Sequence, residues 1–194
     1  RFFSVILPDY SGRIILCGMK HCGKTTQGRF LAEKLNFRLV DSDDLIFAAG
    51  RKIAPAADSV RELFKTLGWE LFRRLETEEI TRHLLKYPDG GEILALGGGA
   101  AAQSSLHEIL RNSGLVVYLQ LPEEVLFQRV IAGGVPPFLN AASPREDFSR
   151  ICAERAIHYR HLAHLIVELD GSESCAESGE KLILALNKYL ATAN

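Results

Sequence analysis

The sequence has no cysteine pair at CxxC spacing, no long apolar run, no excess of either charge, no internal repeat and no low-complexity tract. Its four cysteines, Cys17, Cys22, Cys152 and Cys175, are too sparse for a disulfide scaffold, and Cys17 lies in an apolar run expected to be buried. That usage fits a reducing cytosol, so a cytoplasmic location is expected. No stretch approaches the roughly 18 residues needed to span a bilayer, and the opening Arg1-Phe2-Phe3-Ser4-Val5-Ile6-Leu7-Pro8 is too short for a signal h-region with a cleavage site. Lys and Arg total 23 against 24 Asp and Glu, a net charge of -1, which excludes a general attraction to nucleic acid or to an acidic membrane. Anionic ligands must then be held by local groups. An initiating Met is also missing, so residues 1–12 are expected to be a short N-terminal extension whose natural start lies upstream.

What is present is ordinary globular composition, 47% hydrophobic and 24% charged over 194 residues, enough for one substantial core without room for a second full domain. Short apolar runs at residues 14–17, 38–40, 93–96, 115–119 and 165–169 predict five strands. Helical periodicity fills the intervals, at about 24–35, 60–87, 104–111, 123–131, 145–161 and 176–190. Continuous apolar strands alternating with helices predict a three-layer α/β fold, a five-stranded parallel sheet covered on both faces. From Gly133 through Pro136-Pro137 to Ser143-Pro144, glycines, prolines and small residues forbid a continuous helix, and a mobile flap or lid loop is expected there.

The strongest local signal is Gly18-Met19-Lys20-His21-Cys22-Gly23-Lys24-Thr25, which fits G-x-x-x-x-G-K-[ST] between a predicted strand and a predicted helix. Glycines let the backbone curl so that successive N–H groups face phosphate oxygens, and the helix N-terminus adds partial positive charge. Lys24 is expected to reach the β- and γ-phosphates of ATP, and the Thr25 hydroxyl to ligate Mg2+. The expected nucleotide contacts are Gly18, Lys20, Cys22, Gly23, Lys24, Thr25 and Thr26, with His21 and Cys22 occupying variable positions where the backbone does the binding.

A phosphate loop alone does not choose an acceptor. Asp41-Ser42-Asp43 ends the second predicted strand, placing two carboxylates where open parallel sheets bind ligands, one suited to magnesium and the other to a substrate hydroxyl. The same pair would serve equally as a cap for the turn at residues 44–46. Gly97-Gly98-Gly99-Ala100 follows the third strand and leaves backbone N–H groups open to a ligand, or makes a flexible turn.

Taken together, the phosphate loop, Asp-x-Asp, Gly68-Trp69-Glu70-Leu71-Phe72-Arg73-Arg74-Leu75-Glu76, the triple glycine and Glu154-Arg155-Ala156-Ile157-His158-Tyr159-Arg160 resemble the motifs of the shikimate kinase family, in the same order and over about residues 14–171. The resemblance implies a single P-loop kinase domain with a substrate-binding part at about 43–90 and a lid at about 131–148. It implies that Asp43 accepts hydrogen bonds from substrate hydroxyls and draws the proton from the attacking one, and that Asp41 acts on Mg2+. Arg73 and Arg155 match the arginines that hold the shikimate carboxylate, which suits the planar donor fork of guanidinium. Gly98 N–H would donate to the substrate, with Gly97 and Gly99 permitting the approach, and Arg129 would lie against adenine. The implied activity is ATP-dependent phosphorylation of shikimate by a monomer, a step of aromatic biosynthesis.

Two departures stand out. Pro136 occupies the flap position of a family arginine, with Arg145 farther along the same flap, and residues 55–59 form an apparent insertion in the substrate-binding part. A kinase for gluconate or a nucleoside monophosphate, and a nucleotide-binding regulatory module without turnover, are the alternatives.

Overall fold

The computed structural model describes residues 10–136 and 138–193, so residues 1–9 of the expected N-terminal extension and Pro137 of the flap lie outside the described residues. Five strands form one parallel sheet: β1 (Ile14–Cys17), β2 (Arg38–Asp41), β3 (Glu92–Ala95), β4 (Leu115–Gln120) and β5 (Leu165–Glu168), in the spatial order β2-β3-β1-β4-β5. All five predicted strands are present, β1 with the expected bounds and the others differing by one residue at one end or, for β3, at both. β1 and β3 are buried along their whole length, as continuous apolar runs between two helical layers require.

The register decides where the motifs meet. Leu16 pairs with Ala95, and Asp41 pairs with Ala95 from the other side. The residues that follow β1 and β3 and the last residue of β2 therefore emerge together at the carboxyl edge, beside the central strand from which the chain runs both ways.

Helices α1 (Lys24–Leu35), α3 (Val60–Lys86), α4 (His107–Ser113), α5 (Glu123–Ile131), α6 (Pro144–Leu162) and α7 (Cys175–Ala193) occupy the predicted intervals, with a 3-10 turn at Ser104–Leu106 leading into α4. One helix departs from expectation. Residues 42–50 form α2 (Ser42–Gly50), where the sequence suggested only a turn. Its existence depends on packing: Ile46 joins Ala54, Ala57, Leu63, Phe72 and Leu75 in a small core separate from the main one around the sheet. The segment at residues 55–59 connects α2 to α3, and its Ala57 is buried in this second core.

α3 is not continuous. Gly68 takes φ 76°, ψ 171°, outside helical space, and kinks the element before Trp69. The kink re-aims the half that carries Arg73 and Glu76.

Candidate active site

The phosphate loop leaves β1 and enters α1 through Gly23, whose φ of 97° is left-handed and suits glycine. Lys24 Nζ donates to the carbonyls of Gly18 at 3.0 Å and Met19 at 2.8 Å, so its ammonium lies against its own loop. Cys22 N–H closes a turn onto Met19 O at 3.2 Å and its side chain is buried, which makes Cys22 a shaping residue of the loop. Lys20, Thr25 and Thr26 are exposed.

Asp41 serves two neighbours at once. Oδ1 accepts from Asp43 N–H at 3.0 Å and caps α2, while Oδ2 accepts from the Thr25 hydroxyl at 2.9 Å. The capping role considered as one alternative is thus filled by Oδ1, while Oδ2 joins Asp41 to Thr25 of the phosphate loop. The Thr25–Asp41 pair is an all-oxygen donor set of the kind a hard divalent cation takes.

Asp43 is exposed, with Asp41, Lys20 and Lys24 near its carboxyl. Partial loss of hydration pushes its carboxyl above the ordinary carboxylate range and the charge of Asp41 adds to this, against the opposing pull of Lys24 and Lys20.

The triple glycine is where the remaining groups converge. A methyl group added to Gly97 would lie 2.8 Å from Asp43 Oδ1, and one on Gly99 would overlap both terminal nitrogens of Arg73. One on Gly98 would lie 3.3 Å from Gly18 O and 3.5 Å from Arg155 Nη1. Asp43, Arg73, Arg155 and the phosphate loop, far apart in sequence, therefore surround three consecutive residues without side chains.

Arg73 is set by its neighbours. It pairs with Glu76 one turn on, and its guanidinium carbon stacks 4.6 Å from the centroid of the Trp69 ring. Glu76 also accepts from Gln103 Nε2 at 2.6 Å. Its burial raises the Glu76 carboxyl above the ordinary range, partly offset by Arg73. Neither Glu76 nor Gln103 had been assigned a role from the sequence; the Arg-x-x-Glu spacing, which puts both side chains on one helix face, was the available signal. Ser42 was also missed. It is fully buried, and its hydroxyl oxygen accepts from Gly97 N–H at 2.8 Å, anchoring the start of the glycine run.

Arg129 bridges two loops at the edge of the site, donating to His21 O at 3.1 Å and Gly171 O at 3.0 Å. Arg145 is engaged elsewhere. Its guanidinium lies 3.3 Å from Glu123 and 2.9 Å from Glu124, in the first turn of α5, and over the Phe127 ring.

A phosphate loop at the carboxyl edge of a parallel sheet, with a carboxylate and two guanidinium groups facing it, defines a P-loop phosphotransferase acting on a small molecule. The sequence model of the family described as "Shikimate kinase" matches residues 20–187. The chain belongs to the shikimate kinase family. It is 34% identical to the shikimate kinase of Neisseria gonorrhoeae over 182 residues, 94% of this chain and 100% of that one. Among solved structures, a shikimate kinase from Acinetobacter baumannii in complex with shikimate gives a TM-score of 0.77 at 30% identity, covering 93% of this chain and 94% of that one. The shikimate kinase of Aquifex aeolicus gives 0.72 at 25%, covering 92% and 98%. A gluconokinase from Sinorhizobium meliloti, 18% identical with a TM-score of 0.58 and covering 95% of this chain and 96% of that one, shares the fold. Among the described residues, no helix is long and apolar enough to cross a membrane.

Proposed function

We infer that this chain transfers the γ-phosphoryl group of ATP to the 3-hydroxyl of shikimate, giving shikimate 3-phosphate and ADP. The observation that carries the reading is the convergence of Asp43, Arg73, Arg155 and Gly18 on the triple glycine. A small acceptor bearing one carboxylate and several hydroxyls matches that set. Arg73 and Arg155 hold the carboxylate, Gly98 N–H donates to the acceptor, and Asp43 receives the proton of the attacking hydroxyl. A bond forms between that hydroxyl oxygen and the γ-phosphorus while the bond to the β,γ-bridging oxygen breaks, leaving ADP.

Little covalent chemistry falls to the protein. Lys24 and the loop amides hold the phosphates in line, and Arg129 lies against adenine. Thr25 and Asp41 fit Mg2+, which when bound neutralises phosphate charge. The flap at about 131–148 closes over the nucleotide and excludes water, while the part at about 43–90, with its own small core, carries the acceptor.

The test is ADP release from Mg-ATP with shikimate, gluconate and nucleoside monophosphates offered separately. Turnover is expected with shikimate alone, and Arg73→Ala is expected to raise the shikimate KM about a hundredfold with the ATP KM kept within about twofold. Turnover with another acceptor would reassign the substrate. ATP binding without any turnover would make the chain a regulatory module.

A further inference from the structure

Tyr159, on α6, is fully buried and one turn past Arg155. Its ring packs on Tyr118 of β4 with centroids 5.2 Å apart, which fixes where the hydroxyl points. The hydroxyl donates to Gly98 O at 2.8 Å and lies 3.6 Å from Met19 Sδ in the phosphate loop. A phenol has one proton, and the carbonyl is the stronger acceptor, so Gly98 takes it and the thioether makes a polarisable contact. Burial pushes the hydroxyl far above its ordinary titration range, with Arg155 opposing weakly, so Tyr159 is a donor at every working pH.

Gly98 is consequently held from both ends. Ser42 fixes Gly97 N–H ahead of it, and Tyr159 fixes its own carbonyl behind. Its N–H is the group assigned above to the acceptor, and the Gly18 carbonyl of the phosphate loop and the Tyr159 hydroxyl both lie 3.3 Å from where a Cβ on Gly98 would sit.

We propose that Tyr159 is a positioning residue whose hydroxyl locks the acceptor loop at Gly98 to the phosphate loop at Met19, so that bound nucleotide strengthens acceptor binding. The proposal rests on the acceptor assignment above. Because one hydroxyl touches both loops, displacement of either by a ligand is felt by the other, and the coupling is reciprocal.

The test is Tyr159→Phe, which keeps the ring and its packing on Tyr118 and removes only the hydroxyl. Shikimate binding is followed by the fluorescence of Trp69, the single tryptophan, stacked on Arg73, with and without a non-hydrolysable ATP analogue. The shikimate KM is expected to rise about tenfold, the loss of one buried hydrogen bond, and by reciprocity the ATP KM at saturating shikimate rises by a similar factor, while affinity for the analogue without shikimate stays within about twofold. The ratio of shikimate affinities with and without nucleotide is expected to fall toward one. Met19→Leu, which keeps volume and removes the sulfur, is expected to lower that ratio while leaving shikimate affinity without nucleotide unchanged, and it carries the test if the Phe variant does not fold. An unchanged shikimate KM and ratio, or a fall in melting temperature with neither moved, would overturn the proposal. Failure of the acceptor assignment itself is separate, since it would appear as wild-type protein without shikimate turnover.

Discussion

Asp43 has to be ionised to accept a proton, yet its surroundings favour the neutral acid. Loss of hydration and the adjacent Asp41 raise its titration above the ordinary carboxylate value, and Lys24 and Lys20 restrain the rise. The ionised fraction therefore falls at a higher pH than for a free aspartate at about 3.9. For wild-type protein, the acidic limb of kcat/KM for shikimate should follow this protonation, activity declining as pH falls through the raised value. Asp43→Asn should lower kcat by about 10^2 to 10^4, and its residual rate should lack that limb. Rate profiles of both proteins across the acidic range test this. A limb of the same midpoint in the Asn variant would assign it to another group. The family resemblance, more than its place at a strand end, singled out Asp43, whereas Glu76, although part of the matching helix motif, was given no role because a glutamate on a helix is ordinarily solvated. Only the fold shows Glu76 buried between Arg73 and Gln103.

Among the elements, the central strands β1, β3 and β4 were the most legible, because a strand buried on both faces leaves a continuous apolar run and little else does so in so few residues. α2 was not legible, since it is short and its Asp41 cap and acidic first turn read equally as a turn signal. Its stabilisation comes from Ile46 meeting Leu63 and Phe72 in α3, contacts that local sequence does not encode. The break in helix between α5 and α6 was legible from its prolines and glycines, but the fate of Arg145 was not. Its salt bridges to Glu123 and Glu124 tie it to the start of α5. Arg145→Ala is accordingly expected to change kcat by less than about twofold and stability by at most about 1 kcal/mol, as for other half-exposed pairs. Pro136→Arg places a cation at the flap position where the family resemblance implies an arginine, and the turn from Leu139 N–H to the carbonyl of residue 136 needs only that carbonyl. We expect kcat to rise about tenfold, a small part of what arginine fingers contribute elsewhere. Steady-state kinetics on the two variants decide the matter, and a large loss in Arg145→Ala would show that this arginine reaches the phosphates.

Across the whole molecule, the two edges of the sheet do different work. The carboxyl edge gathers Gly18, Asp41 and the triple glycine, and the amino edge gathers buried charge that is paired within the protein. There Glu92, at the start of β3 and fully buried, pairs with Arg13 at 2.7 Å, Arg38 at 2.8 Å and His83 at 3.0 Å. Arg13 also donates to the carbonyls of Ser113 and Tyr87, tying β1, β3, α3 and α4 together. Burial alone would raise the Glu92 carboxyl, but hydrogen bonds from His83 and Arg13 outweigh it and hold the group below the ordinary glutamate value. A carboxylate with a depressed folded-state value stabilises the fold fully above its unfolded value, about 4.3, and loses that contribution as pH falls through the lower folded value. Glu92→Gln leaves Arg13, 2% exposed, as a buried charge without its partner, so a loss of about 3 kcal/mol is expected near pH 7, or roughly 10 °C in Tm. The difference between the two proteins should shrink as both are acidified below about pH 4, because wild-type protein then loses the same charge. Urea and thermal melts from pH 7 to 3 measure it, and the shikimate KM of folded Glu92→Gln should match wild type, since Glu92 opens β3 and the triple glycine follows its far end. A gap that stayed constant with pH would mean that Glu92 acts through shape and hydrogen bonding alone, whereas a gap that closes on acidification identifies the buried charge as what joins the strands at the edge opposite the chemistry.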